Sequence, residues 1–262
     1  MTLHAQYLKA YDEQLRTDAE TPSALSVARL GPLRLATFAG GLGFITYQNL
    51  KGVAAADMPG LVGGALAHYR ADAGIEKVEW KTRLHDAAPG LGQALLAQGF
   101  VPEAAESIMV GPVAGLCVPV SPPDGVTLRK VTQEAQVRAM SAMVDEAFGE
   151  RTSIRIADSL LARLDRRDGM ELWVAEIDGL MVSAGRLEPV PDSDFAGIWG
   201  GATLPAYRGR GIYRALTAAR ARSAQALGKT LIHSDSTEDS RPILERCGLL
   251  QVSTTVPYHW QR

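Results

Sequence analysis

Arg208, Gly209, Arg210, Gly211 and Arg214 stand close together in Thr203-Leu204-Pro205-Ala206-Tyr207-Arg208-Gly209-Arg210-Gly211-Ile212-Tyr213-Arg214-Ala215-Leu216. Two glycines between arginines make a tight turn carrying several cationic side chains. Apolar residues then recur at Ile212, Leu216, Ala219 and Ala226, the period of an amphipathic helix. The first N–H groups of such a helix have no intrahelical partner, and the positive end of its dipole points the same way. That end binds anions, and a diphosphate is the expected occupant. Other phosphate loops are excluded. No lysine follows the turn, and no third glycine completes Gly-x-Gly-x-x-Gly.

The stretch resembles the acyl-CoA signature of the GCN5-related N-acetyltransferases (the GNAT family), Arg/Gln-x-x-Gly-x-Gly/Ala. Arg208 takes the first position and Gly211 the fourth, while Tyr213 stands where the family usually has Gly or Ala. Ser240-Arg241-Pro242-Ile243-Leu244-Glu245-Arg246-Cys247-Gly248-Leu249 is similar to the family's last helix and its Leu-Gly-Phe ending. The resemblance implies an enzyme, an N-acetyltransferase with acetyl-CoA as co-substrate. Its acceptor would be a primary amine of a small molecule or peptide, acetylated by direct transfer in a ternary complex.

The same resemblance assigns the cofactor contacts. The backbone of Gly201, Ala202, Thr203 and Leu204 would hold the pantetheine and the thioester carbonyl. The amides of Arg208, Gly209, Arg210, Gly211, Ile212 and Tyr213 would cradle the diphosphate. Gly200-Gly201 within a strand fits a bulge or a close backbone approach.

The catalytic groups stay open. The family's tyrosine acid falls here on Leu244, so water or a hydroxyl such as Ser240 would have to substitute. Ser240 equally reads as a helix N-cap. Glu188, Asp192, Asp194 and Asp235 are candidate bases, with Asp235 best placed at the end of a buried strand, and a relayed water is an alternative. His233 shares the face of Asp235 and reads as a core residue. Trp173, Trp199, Phe195 and Tyr258 are expected around the acceptor pocket. The missing tyrosine supports a second reading, a catalytically silent acyl-CoA-binding regulatory module. No Cys/His/Asp spacing argues for a metal.

Bulk properties agree. The 262 residues suffice for two domains. A net charge of −2 and a pI near 6.2 exert no pull toward nucleic acid or an anionic membrane surface. No apolar run is long enough to span a bilayer, and the polar start, Met1-Thr2-Leu3-His4, is not a signal peptide. Two cysteines, Cys117 and Cys247, are too few for a disulfide framework. A cytoplasmic protein, monomer or homodimer, is expected.

The elements that must position the loop are legible as a mixed α/β pattern. Residues 126–131 read as a strand and Thr132 as the cap of a following helix. A second helix at 156–164, a hairpin around Asp178-Gly179, the strand 195–204 and the helix 211–227 come next. A strand at 230–233, a helix at 240–247 and a strand at 250–256 complete the order, which resembles the GNAT acyl-CoA N-acyltransferase fold. The first half echoes it. Strand-like alternation at 25–38, 44–48 and 77–84 and helical periods at 58–69 and 88–98 lead to Gln98-Gly99-Phe100, which matches Cys247-Gly248-Leu249. The expected division is a degenerate, truncated GNAT-like copy over 1–115, a linker at 116–125 rich in proline, and a complete acetyl-CoA-binding GNAT domain over 126–262. Between its strand and helix, Gln48 to Ala54 of the first copy lacks Arg-x-x-Gly-x-Gly, so that copy is not expected to hold acyl-CoA.

Overall fold

Thr2 starts the first helix, α1 (Leu3–Gln14), its hydroxyl accepting from the Ala5 amide. After a 3₁₀ turn (Asp18–Glu20), Gly31 and Pro32 split the alternating run at 25–38 into β1 (Ser26–Leu30) and β2 (Leu33–Phe38), an antiparallel pair. β3 (Leu42–Tyr47) pairs antiparallel with β2 and parallel with β4 (Lys77–Lys81), and the crossover between them is α2 (Met58–Arg70). α3 (Leu91–Ala97), β5 (Val101–Pro102) and β6 (Glu106–Pro112) follow. This computed structural model describes residues 1–149 and 151–262.

In the second half a helical turn, α4 (Val113–Leu116), leads to β7 (Val126–Val131), α5 (Glu134–Phe148) and α6 (Ile154–Asp165). Gln133 rather than Thr132 occupies the N-cap of α5, and its side chain makes no capping bond. β8 (Glu171–Ile177) and β9 (Leu180–Pro189) form the expected hairpin; Asp178 at φ 49° and Gly179 at φ 81° give the left-handed pair that a two-residue turn demands. β10 (Phe195–Thr203), α7 (Ile212–Ala226), β11 (Leu231–Ser236), α8 (Arg241–Arg246), β12 (Leu250–Thr255) and β13 (Pro257–Gln261) complete the chain. The fold is mixed α/β with mixed sheets.

One sheet runs β1-β2-β3-β4-β13-β5, the other β12-β6-β11-β10-β9-β8-β7. The chain forms two compact units, and neither is a continuous stretch. The first contains residues 1–108, 236–238 and 251–262; the second contains 109–235 and 239–250. β13 pairs antiparallel with both β4 and β5 inside the first unit. Tyr258 sits opposite Trp80 and Pro102 and packs against the first unit's core. Its strand position, not its aromatic character, decides its place.

Both halves end a helix the same way. Gly99 (φ 85°) and Gly248 (φ 88°) turn the chain, and the next amide closes back five residues: Phe100 to the Leu95 carbonyl, Leu249 to the Leu244 carbonyl, at 3.0 and 3.1 Å. All four of these apolar residues are buried.

The first unit buries an ion cluster beside its parallel strand pair. The β3–β4 register runs from Leu42–Lys77 to Ile45–Trp80. Past it, Arg83 donates to the Thr46 hydroxyl (3.2 Å) and to Glu20, and Arg16 donates to the Tyr47 carbonyl (3.2 Å). Arg34 reaches Glu20 at 3.0 Å, and Arg16 reaches Asp86 at 2.7 Å. Side chains thus fill the gap where β3 and β4 separate.

Candidate active site

The second unit repeats the parallel pair with a different ending. β10 and β11 pair at only three positions, Phe195–Leu231, Ala196–Ile232 and Gly197–His233. Beyond them the two strands diverge, and the Ser234 hydroxyl donates to the Ile198 carbonyl at 2.9 Å. On its other side β10 stays paired with β9, except for a bulge between Trp199 and Ala202, where Gly200 takes φ 55°. The bulge expected at Gly200-Gly201 is present. It rotates the strand locally, next to the point where its β11 side opens.

The loop after β10 makes a second donor surface. A 3₁₀ turn (Pro205–Tyr207) leads to Gly209 at φ 74° and to Gly211, the N-cap of α7, at φ 81°. Gly211 has no capping side chain, and among the described residues no backbone acceptor takes the amides of residues 209–214. A Cβ built on Gly209 would meet nothing within 4 Å, and one on Gly211 only Pro123 Cγ at 4.0 Å. Open space over unpaired amides at a helix N-terminus suits an anion. Tyr213, which departs from the expected small residue, does not cover these amides. Its ring turns onto the strand, and a Cβ on Gly201 would lie 2.7 Å from its Cε2. An acyl-CoA fits these features, with the amides at 209–214 for the diphosphate and the bulge at Gly201 for the pantetheine; of the other expected strand contacts, the Leu204 amide already donates to the Val182 carbonyl at 2.9 Å, and the Ala202 and Thr203 carbonyls accept from Ser183 and Arg208.

The arginines divide. Arg208 Nε donates to the Thr203 carbonyl at 3.0 Å and Nη2 to the Ala147 carbonyl at 2.8 Å, tying the loop to the end of α5. Arg210 lies over the Tyr207 ring, 5.1 Å from its centroid. Replacing Arg208 by alanine is expected to cost about 1.5–3 kcal/mol of stability, the worth of a hydrogen bond made by a charged group, and to loosen the loop. Urea unfolding of Arg208→Ala measures the first effect. An unchanged midpoint would show that the two bonds contribute nothing.

Of the base candidates, Glu188 on β9 stands opposite Gly197 and is held by Arg163 and by Arg186 Nε (3.1 Å), and Arg163 also binds Asp168 at 2.7 Å. Both of its oxygens are engaged in ion pairs. Asp235 lies two residues beyond His233, half-buried near the end of β11 where the strands part. Asp192 and Asp194 lie in the β9–β10 loop, and the Asp194 carbonyl accepts from Thr230 and Leu231. Ser240 is the positional N-cap of α8, its carbonyl accepting from Ile243 and Leu244, but its side chain makes no capping bond. The capping role expected of its hydroxyl is therefore not made. Leu244, the position the resemblance would give to a tyrosine, is 1 % exposed in the core.

Aromatic rings line one side of β10. His233 meets Phe195 and Trp199 edge-on, at centroid separations of 5.7 and 5.1 Å. Because side chains alternate across a strand, the register Arg186–Trp199 puts Arg186 on this same face. Trp173 is not there. It pairs with Gly185, one residue out of phase with Arg186, and lines a surface groove with Lys130, Ala219 and Ser223 on the α7 side.

Two residues of the site went unnoticed in the sequence, Arg186 and Arg220. Arg220 is 1 % exposed. The detectable signal was its place at i+7 from Tyr213 and i+3 from Thr217, on the inner stripe of α7.

Among the described residues, no group of three or more His, Cys, Asp or Glu could hold a metal, and no helix is long and apolar enough to cross a membrane.

Residues 137–249 match the acetyltransferase (GNAT) family. Among solved structures, the chain is similar to a GCN5-related N-acetyltransferase from Kribbella flavida, with 20% identity and a TM-score of 0.69 over 99% of this chain and 96% of that one. A tandem GNAT protein from the clavulanic acid biosynthesis pathway is 14% identical, with a TM-score of 0.60 over 98% and 95% of the two chains. A GCN5-related N-acetyltransferase from Sphaerobacter thermophilus is 16% identical, with a TM-score of 0.60 over 87% and 76%. A comparison with curated proteins finds no match. Residues 137–249 are thus similar to the GNAT acetyltransferases, and the chain shares along its length the fold of GNAT proteins.

Proposed function

We propose that the protein is an N-acetyltransferase that moves the acetyl group of acetyl-CoA to a primary amine of a small molecule or peptide, directly, within a ternary complex. The observation that carries this reading is the adjacency of two donor surfaces, the unpaired amides at 209–214 and the strand freed at Gly201. One suits a diphosphate and the other a thioester arm. Holding the thioester beside an amine supplies most of what such a transfer needs. The amine must also lose a proton. Asp235, directly or through a water, is the proposed base, because it lies half-buried near the end of β11, past the last β10–β11 pair.

Acetyl-CoA would be held by the second unit alone. The first unit is proposed to be a degenerate copy of the same plan, truncated at its start, with 1–115 and 126–262 as the two evolutionary copies and 116–125 as the joint. The matched helix endings at Gly99 and Gly248 support the repeat, and the ion cluster in the β3–β4 gap supports the loss of cofactor binding there. A cytoplasmic monomer or homodimer, without nucleic acid or membrane partners, completes the proposal.

Thiol release from acetyl-CoA, followed over a panel of primary amines, tests it. Turnover on at least one amine is expected. A second reading, a silent acyl-CoA-binding module, draws on the apolar Leu244. Coenzyme binding without turnover on any amine would favour that module.

A further inference from the structure

We propose that Tyr213 is the acid that protonates the departing CoA thiolate, with Arg220 behind it as a positioning residue. The inference rests on the transferase reading of the same site and names a group that reading lacks.

Geometry carries it. α7 and α8 pack on one face of the sheet, where Ala221, Ala224 and Leu244 share a cluster with Ile198 and Ile232. An acid on α8 would reach the splay from that face, but Leu244 has no hydroxyl. Tyr213, in the first turn of α7, reaches β10 at its bulge. A Cβ on Gly201 would lie 2.9 Å from its Oη, so the phenol sits against the bulge, where the thioester arm is proposed to lie. Only glycine at 201 leaves it that place.

Behind the phenol is a buried cation. Arg220 Nη1 donates to the Arg186 carbonyl at 3.2 Å and Nη2 to the Thr217 hydroxyl at 3.0 Å, while Nε has no partner. Its Cζ lies 6.0 Å from the Tyr213 ring centroid. Gly185 on β9 makes room for the guanidinium, since a Cβ there would overlap Nη1. No carboxylate pairs with Arg220 among the described residues. Burial pulls the guanidinium below the usual arginine range, the neighbouring Tyr213 phenol opposes this, and Arg186 adds to it.

A buried cation without a counter-ion is costly to keep. It stabilises a negative charge that forms beside it, such as a phenolate. Arginine has no acceptor atom, so any hydrogen bond between the two runs from the guanidinium to the phenol oxygen. The phenol's own proton stays available to a third group.

The step balances. The amine nitrogen attacks the thioester carbon, and the C–S bond breaks with its electron pair on sulfur. The proton of Tyr213 Oη moves to that sulfur and yields the free thiol. The amine's proton leaves through the base or water, and solvent reprotonates the phenolate.

Tyr213→Phe keeps the ring and removes the proton. It should lower kcat by about 100-fold, the lower end of what an acid–base group contributes. The acetyl-CoA Kd from isothermal titration and the melting temperature should stay unchanged. A crystal of the wild-type protein with CoA should show Oη within hydrogen-bond reach of the sulfur. Wild-type kcat in Tyr213→Phe, a Kd that weakens in step with kcat, or a phenol turned away from the sulfur would each overturn the assignment. The first of these leaves the transferase reading standing; a wild-type protein that acetylates no amine sinks both.

Discussion

Gly211→Glu is expected to abolish acetyl-CoA binding in a protein that still folds. Gly211 holds φ 81° at the N-cap of α7, a conformation that costs an L-residue about 1–2 kcal/mol. The new side chain would also enter the space over the amides of residues 209–214, where only Pro123 Cγ comes within 4.0 Å of a Cβ. Its carboxylate would then face the coenzyme's diphosphate, like charge against like. Strain and repulsion together should weaken binding by more than about 100-fold, since each 1.4 kcal/mol is tenfold. Gly211→Ala carries the strain without the charge and should lose about tenfold. Isothermal titration, with circular dichroism to confirm folding, measures both. Undiminished affinity in a folded Gly211→Glu protein would refute the diphosphate site.

The second large effect lies in the first unit. Glu20 accepts from Thr46 at 2.7 Å, from Arg34 at 3.0 Å and from Arg83, with Lys81 at 3.9 Å. Glu20→Gln removes the anion from among three cations and should destabilise that unit by about 3–5 kcal/mol, the cost of breaking a buried pair. A pH dependence follows. Burial alone would raise the Glu20 carboxyl, but Arg83, Lys81, Thr46 and Arg34 outweigh it and hold the group below its ordinary value of 4.5. A carboxyl depressed on folding contributes stability above its unfolded pKa, and that contribution fades as pH falls through the folded one. The wild-type melting temperature should therefore fall as pH drops below about 4.5, and the curve of Glu20→Gln should be flatter there. Parallel curves would remove Glu20 from the account.

The turn at 208–211 and the helix after it were legible because glycines and helix starts act locally. Gly209, Gly211 and the period from Ile212 need no distant partner to declare a turn and a helix. The Asp178-Gly179 hairpin was legible for the same reason. What stayed hidden depends on partners far along the chain. Alternation in Pro257–Gln261 cannot say that this strand belongs with β4 and β5, nor that Tyr258 packs on the first unit's core. Arg208 stood only among the cationic side chains of the turn, whereas its guanidinium binds two carbonyls, one of them 61 residues away in sequence. The helix α1 was masked by its polar composition, which describes an exposed helix as well as a coil. Arg220 gave no signal of the space that receives it, because no local rule predicts that Gly185 hollows the opposite strand.

The insertion of β13 between β4 and β5 has a consequence for synthesis. Residues up to 102 emerge from the ribosome with two strands whose shared neighbour does not exist until residue 261. At ordinary translation rates that delay is on the order of ten seconds. Throughout it, β4 and β5 present bare N–H and C=O rows of the kind that recruit neighbouring chains. The first unit closes only once β13 has been made, so removing that strand should leave the protein prone to aggregate rather than simply shorter.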